Sequence, residues 1–151
     1  MRRRDREITD NAVMERIIAG ATICRCAFCD DRSPYIVPLN FGYVDKTVYA
    51  HCAREGRKLD IIGNNPAVCV EFEGRTEIVA APLACDWTMR YESVLGFGTA
   101  TLVDDTAVKR DALSMIMRHY SNESFEYPKE SLAKILIIKI RLDTMTCKVK
   151  E

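Results

Sequence analysis

Three strand-length apolar runs follow one another between Thr22 and His51 with no helix between them, and this limits the fold more than any other feature. Thr22–Asp30 alternates, with Cys24, Cys26 and Phe28 on one face and Ile23, Arg25, Ala27 and Cys29 on the other. Asp31-Arg32-Ser33-Pro34 then turns the chain. Two further runs, Tyr35–Phe41 and Thr47–His51, flank the turn-rich Gly42-Tyr43-Val44-Asp45-Lys46 and predict a β-hairpin. Runs over Ala67–Glu73, Arg90–Val103 and Ile135–Leu142 bring the expectation to about six strands. Helical patterns are fewer. One is capped by Thr9, carries Asp10 in its first turn and ends at Gly20. A short one runs from about Gly56 to Asn64, and a third from Asp104-Asp105 to about Tyr120, with Val108, Ala112, Ile116 and Tyr120 as its stripe. Glu77–Met89 shows no usable pattern, and Ser121–Ser131 reads as a loop. Strands in succession pair antiparallel, and closure removes their edges. The expectation is a mainly β single domain over residues 1–151, an antiparallel barrel with peripheral helices.

Composition narrows the function classes. Lys and Arg total 22, as do Asp and Glu, so no field that gathers nucleic acid is expected. Arg2-Arg3-Arg4 is broken by Asp5 and Glu7 and reads as a solvated terminus. No apolar run approaches the ~18 residues that span a bilayer, and no signal-peptide pattern opens the chain. The expectation is a cytoplasmic protein without a membrane partner. Seven cysteines, an odd number, then read as reduced thiols. Cys24-x-Cys26-x-x-Cys29 invites a zinc reading, but strand alternation turns Cys29 away from the other two. Buried thiols acting as small hydrophobes are the expectation, with no metal. His119, close to the apolar stripe of the late helix, reads as a packed structural histidine.

One local pattern points to chemistry. A strand ends in His51, and Glu55-Gly56-Arg57-Lys58 follows at a helix start. Free N–H groups, the helix dipole and two cations together make a cradle for a phosphate. Many surface helices begin with charge, so the local pattern leaves both readings open, as it does for His51. Pro38 cannot donate to a ladder and suggests an edge or bulge. Asn40 shares a face with Ile36 and Pro38, where it either satisfies a backbone group or reads a ligand edge. Gly96 and Gly98, two apart, mark a close backbone approach, a bend or a ligand ring. Trp87, Arg90 and Tyr91 either stack on a ring or line a subunit interface. Dinucleotide, Walker and nucleophile-elbow motifs are all missing from the sequence.

Four motifs in order carry a resemblance. They are Ile36-Val37-Pro38-Leu39-Asn40-Phe41-Gly42-Tyr43, His51-x-x-x-Glu55-Gly56-Arg57-Lys58-Leu59-Asp60, Cys85-Asp86-Trp87-x-Met89-Arg90-Tyr91-x-Ser93-Val94-x-Gly96-x-Gly98, and Met117-Arg118-His119-Tyr120. Together the chain resembles the nitroimidazole-resistance (Nim) branch of the pyridoxamine 5′-phosphate oxidase-like flavoproteins. The resemblance implies an FMN-binding split β-barrel, a homodimer with FMN in two shared clefts, and an oxidoreductase acting on a small electrophile. It implies that Val37, Pro38, Leu39 and Asn40 line the flavin through backbone groups, and that Arg57 and Lys58 hold its phosphate. It places His51 beside the flavin as the catalytic residue, with Tyr91 and Ser93 approaching from the partner subunit. Two departures, Cys52 in place of a smaller Ser or Gly and Thr88 in place of Gly, bear on the choice between FMN and FAD. A second reading is a flavin- or haem-binding module without turnover, with His51 as haem ligand. A third is a zinc domain built on Cys24, Cys26, Cys29 and Cys52.

Overall fold

The structure, a computed structural model, describes residues 3–30 and 33–151. Arg2 of the basic start and Asp31-Arg32 of the predicted turn lie outside the described residues. In chain order the elements are β1 (Glu7–Ile8), α1 (Asn11–Gly20), β2 (Cys24–Cys29), β3 (Pro34–Leu39), β4 (Gly42–Val44) and β5 (Thr47–Ala53). They continue with α2 (Arg57–Asn64), β6 (Ala67–Val79), β7 (Thr88–Val103), α3 (Thr106–Tyr120), α4 (Lys129–Ala133) and β8 (Ile135–Lys150). Among the described residues the eight strands form one sheet in the order β3-β2-β6-β7-β8-β5-β4, with β1 added to β8. Every pairing is antiparallel.

The predicted hairpin is corrected. Tyr35–Phe41 does not pair with Thr47–His51; β3 pairs with β2, from Cys24↔Leu39 to Cys29↔Pro34. The hairpin is the shorter β4–β5 pair, closed by Asp45 and Lys46 at φ 48° and 58°. Two consecutive positive-φ residues match the twist of a two-residue turn, so the turn claims Gly42–Val44 as strand and releases Tyr35–Leu39. The first helix begins one residue later than expected. Asp10, not Thr9, is its cap and accepts from the Ala12 N–H at 2.8 Å. The region without a pattern, Glu77–Met89, holds the end of β6, a 3-10 turn at Ala84–Asp86 and the start of β7. The last strand runs on to Lys150, and α4 interrupts the expected loop.

Alternation puts Cys24, Cys26 and Phe28 of β2, Val68, Val70 and Phe72 of β6, and Ile138, Ile140 and Leu142 of β8 into one core. Full burial of such a side chain is worth about 1.5–3 kcal/mol, far more than strand propensity. Met14, Ile17 and Ile18 of α1 close one side of that core. At eight residues α2 is too short to persist alone. Buried Leu59, Ile61 and Ile62 hold it against β2 and β7. Packing thus seats the body of this helix, while Gly56 before it stays exposed. No helix of the described residues is long and apolar enough to cross a membrane.

Candidate functional site

The site expected at residues 37–58 is built from an unpaired strand edge and a helix start. Among the described residues β3 is the last strand of the sheet on its side and pairs only with β2. Its other edge leaves backbone N–H and C=O groups unclaimed by a neighbouring strand, except at Pro38, which has no N–H. Tyr35, Val37 and Leu39 turn toward the core, while Ile36, Pro38 and Asn40 face outward. Val37 and Leu39 therefore offer an outside ligand main-chain groups only. Asn40 also helps to hold the Tyr120 hydroxyl, which accepts from the Phe41 N–H at 3.1 Å and donates to Thr22 O at 2.9 Å. Both readings of Asn40 are compatible with that position.

Gly56 is the N-cap of α2, with φ 127° and no side chain to offer the first-turn N–H groups. A Cβ built there would meet nothing within 4 Å, so the space before the helix is open. Arg57 lies over the Tyr35 ring, its Cζ 4.8 Å from the centroid. Its Nη2 donates to Ser33 Oγ at 2.9 Å and pairs with Asp30 Oδ2 at 3.3 Å. These contacts engage the two N–H groups of Nη2 and leave those of Nη1 and Nε for a ligand. Lys58 is half-buried, close enough to Cys52 to offset part of the burial that pushes that thiol's pKa up. Cys52 itself is buried in the core. His51 is exposed on β5, opposite Ile137 of β8, and its ring makes no hydrogen bond among the described residues. Tyr35, Asp30 and Ser33 were not singled out from sequence. A turn and a strand start carry no sign that an arginine 24 residues later will settle on them.

Tyr91 and Ser93 stand elsewhere. Ser93 pairs with Lys148 and His51 with Ile137, so eleven residues of β8 separate the two levels, up to roughly 36 Å along the strand. Within one chain the structure does not bring them to Arg57, Lys58 and His51. Tyr91 is half-buried, with Arg6 Nη1 at 3.5 Å from its hydroxyl. Trp87 stays 54% exposed, its indole N–H donating to Ala81 O at 2.8 Å. Thr88 accepts from Lys150. Gly96 and Gly98 serve packing: Cβ atoms there would meet the Leu142 side chain at 2.7 Å and Arg141 O at 1.9 Å. His119 is structural, its Nε2 donating to Ala21 O at 2.7 Å and its ring 4.3 Å from that of Phe41. Among the described residues, no group of three or more His, Cys, Asp or Glu is arranged to hold a metal.

The arrangement can hold an anion at the α2 start and a flat, polar-edged group along β3, with the exposed His51 imidazole on β5. A family profile described as pyridoxamine 5′-phosphate oxidase matches residues 10–149. A candidate 5-nitroimidazole antibiotic resistance protein from Bacteroides thetaiotaomicron is 35% identical, with TM-score 0.86 over 95% of this chain and 86% of that one. The flavocytochrome Anf3 from Azotobacter vinelandii is 18% identical, with TM-score 0.87 over 100% of this chain and 72% of the other. An FAD- and haem-binding protein from Mycobacterium smegmatis is also 18% identical, with TM-score 0.81 over 97% and 74%. The last two share the fold. The search of curated proteins found no match. With nearly its whole length matched and a split-barrel sheet like that of its neighbours, the chain belongs to the pyridoxamine 5′-phosphate oxidase family.

Proposed function

We propose that this chain is an FMN-dependent oxidoreductase that reduces a small electrophile, such as a nitroaromatic, in a homodimer with two shared sites. The observation that carries the reading is the glycine-capped, open start of α2, with Arg57 and Lys58 beside the unpaired edge of β3. Anions bind helix N-termini that point N–H groups at them, and two cations strengthen the hold. The residues present fit FMN: a phosphate cradle, main-chain groups of Val37, Leu39 and Asn40 for the ring edge and ribityl chain, and an outward His51. FMN, when bound, supplies the electron transfer between a reduced donor and the electrophile.

The chain's own groups do the remaining work. Arg57 and Lys58 bind the phosphate, and Pro38 holds the strand edge in a fixed φ. His51, exposed and with no hydrogen bond to its ring among the described residues, orients the electrophile or passes it a proton. Because Tyr91 and Ser93 lie on β7 beside the far end of β8, the partner subunit's Tyr91 and the partner subunit's Ser93 complete each site. A row of side chains paired across four strands, Ile36, Ala27, Cys69 and Phe97, supplies the face on which the second copy docks. Ile36 and Phe97 in it are 61% and 45% exposed, and a contiguous apolar patch of this kind marks an interaction surface.

The 35% identical nitroimidazole-resistance relative supports the nitro substrate class. The test is the spectrum of the purified protein followed by one turnover: flavin bands, bleached by a reductant and restored by a nitroaromatic. Reduced flavin that stays reduced with every nitro compound would remove the reductase reading. A second reading, a flavin- or haem-binding module without turnover, has in its favour the exposed His51 imidazole, a haem ligand by type. A Soret band in the same spectrum would select it.

A further inference from the structure

One charged cluster lies outside every contact used so far. Lys109, in the first turn of α3, is only 2% exposed. Its Nζ donates to Asp104 Oδ1 at 2.5 Å and to Leu132 O at 2.9 Å. The same Asp104 receives a two-pronged grip from Arg54, with Nη1–Oδ1 and Nη2–Oδ2 both at 2.6 Å. Arg54 Nη1 also lies 3.4 Å from Ala133 O and from Ile135 O. Four segments meet there: the turn after β5, the end of β7, the start of α3 and the junction of α4 with β8.

We propose that Arg54, Asp104 and Lys109 form a positioning device for the phosphate end of the flavin site. The proposal rests on the FMN reading above. Only Arg54, Glu55 and Gly56 separate β5 from α2, and all three are exposed. Gly56 sits at φ 127°, and a Cβ there would meet nothing within 4 Å, so no side-chain packing at this residue fixes the turn. The Arg54 fork supplies that restraint, three residues before Arg57. A bidentate arginine–carboxylate pair fixes orientation as well as distance. Lys109 in turn holds Asp104 against the backbone of α4. Burying a lysine is costly, and apolar side chains of similar volume would serve stability as well or better. What the ionic cluster adds is direction, and the direction it sets is that of the α2 start.

The test compares FMN with riboflavin, which lacks the phosphate, by quenching of flavin fluorescence in the full-length protein. Arg54→Lys keeps the charge and loses the fork; Lys109→Met keeps the volume and loses the charge. Both variants should weaken FMN about tenfold, the loss of about one charge-assisted hydrogen bond, while riboflavin shifts by less than about twofold. A merely structural role would weaken both flavins equally. An unchanged FMN-to-riboflavin ratio in both variants, or equal loss of the two, overturns the proposal while leaving the FMN reading intact. Wild-type protein with no preference for FMN removes the phosphate cradle and this proposal together.

Discussion

At Gly98 a Cβ would lie 1.9 Å from Arg141 O and 2.9 Å from Leu142 Cα, both backbone atoms of the neighbouring strand. Neither can move without opening the β7–β8 ladder at its register shift between Phe97 and Gly98. Gly98→Ala should therefore cost about 3 kcal/mol, the upper range for overpacking, read as a lowered urea midpoint at constant m. Gly63 in α2 is the opposite case: nothing lies within 4 Å of its Cβ position. Gly63→Ala should raise stability by about 0.5–1 kcal/mol through helix propensity alone. At the site, replacing Arg57 and Lys58 together by Ala should weaken FMN at least about a hundredfold, as two charged hydrogen-bond donors are lost. The urea midpoint should stay near that of the wild type, since Arg57 is exposed. Residues that announce themselves by type, such as these two cations after a glycine, were legible in the sequence. Tyr35, Asp30 and Ser33 were not, because their part depends on where a later helix docks.

At the scale of elements, the polar pairs between segments predict how stability responds to pH. Arg16, and then the Arg75 N–H, hold the Glu92 carboxyl below its usual range, and Arg54 and Lys109 do the same for Asp104. A lowered carboxyl pKa gives stability that is complete above the unfolded value and lost as acid protonates the folded carboxylate. Burial raises the Cys52, Cys69 and Cys147 thiols, and the Cys24 contact followed by burial raises Cys26. Their contribution is complete below the unfolded thiol value and lost in alkali. Urea midpoints should be level between about pH 5 and about pH 8 and fall on both sides. In Asp104→Asn the acid limb should be shallower. Strand and helix types were readable from period and caps: α1, α2 and α3 all lie where their patterns put them. Pairing was not, since Tyr35–Phe41 looks equally apolar whether it meets β2 or β5. Of the expected α3 stripe, Ala112 and Ile116 are buried, and Val108 and Tyr120 are partly exposed. Val108 is 38% exposed while Lys109 is buried, because the charged partner that admits a lysine lies outside the helix itself.

For the whole molecule, the row Ile36–Ala27–Cys69–Phe97 makes assembly a test of the site. Phe97→Glu should yield a monomer by light scattering and release FMN with it, although Phe97 is far in sequence from Arg57. The sheet itself carries a different consequence. β3 and β4 stand at opposite ends of the strand order, yet only Asn40 and Phe41 separate them in the chain. The ring is thus completed by a peptide link where hydrogen bonds are missing, a clasp pinned from above by Tyr120. Glu7 pairs with Lys148, so a short linker can join these two segments. A circular permutant that reopens the chain between Asn40 and Phe41 would keep every strand pair, but both rims of the sheet would be unbuckled at once. Such a molecule should fold and then associate rim to rim into larger particles as its concentration rises.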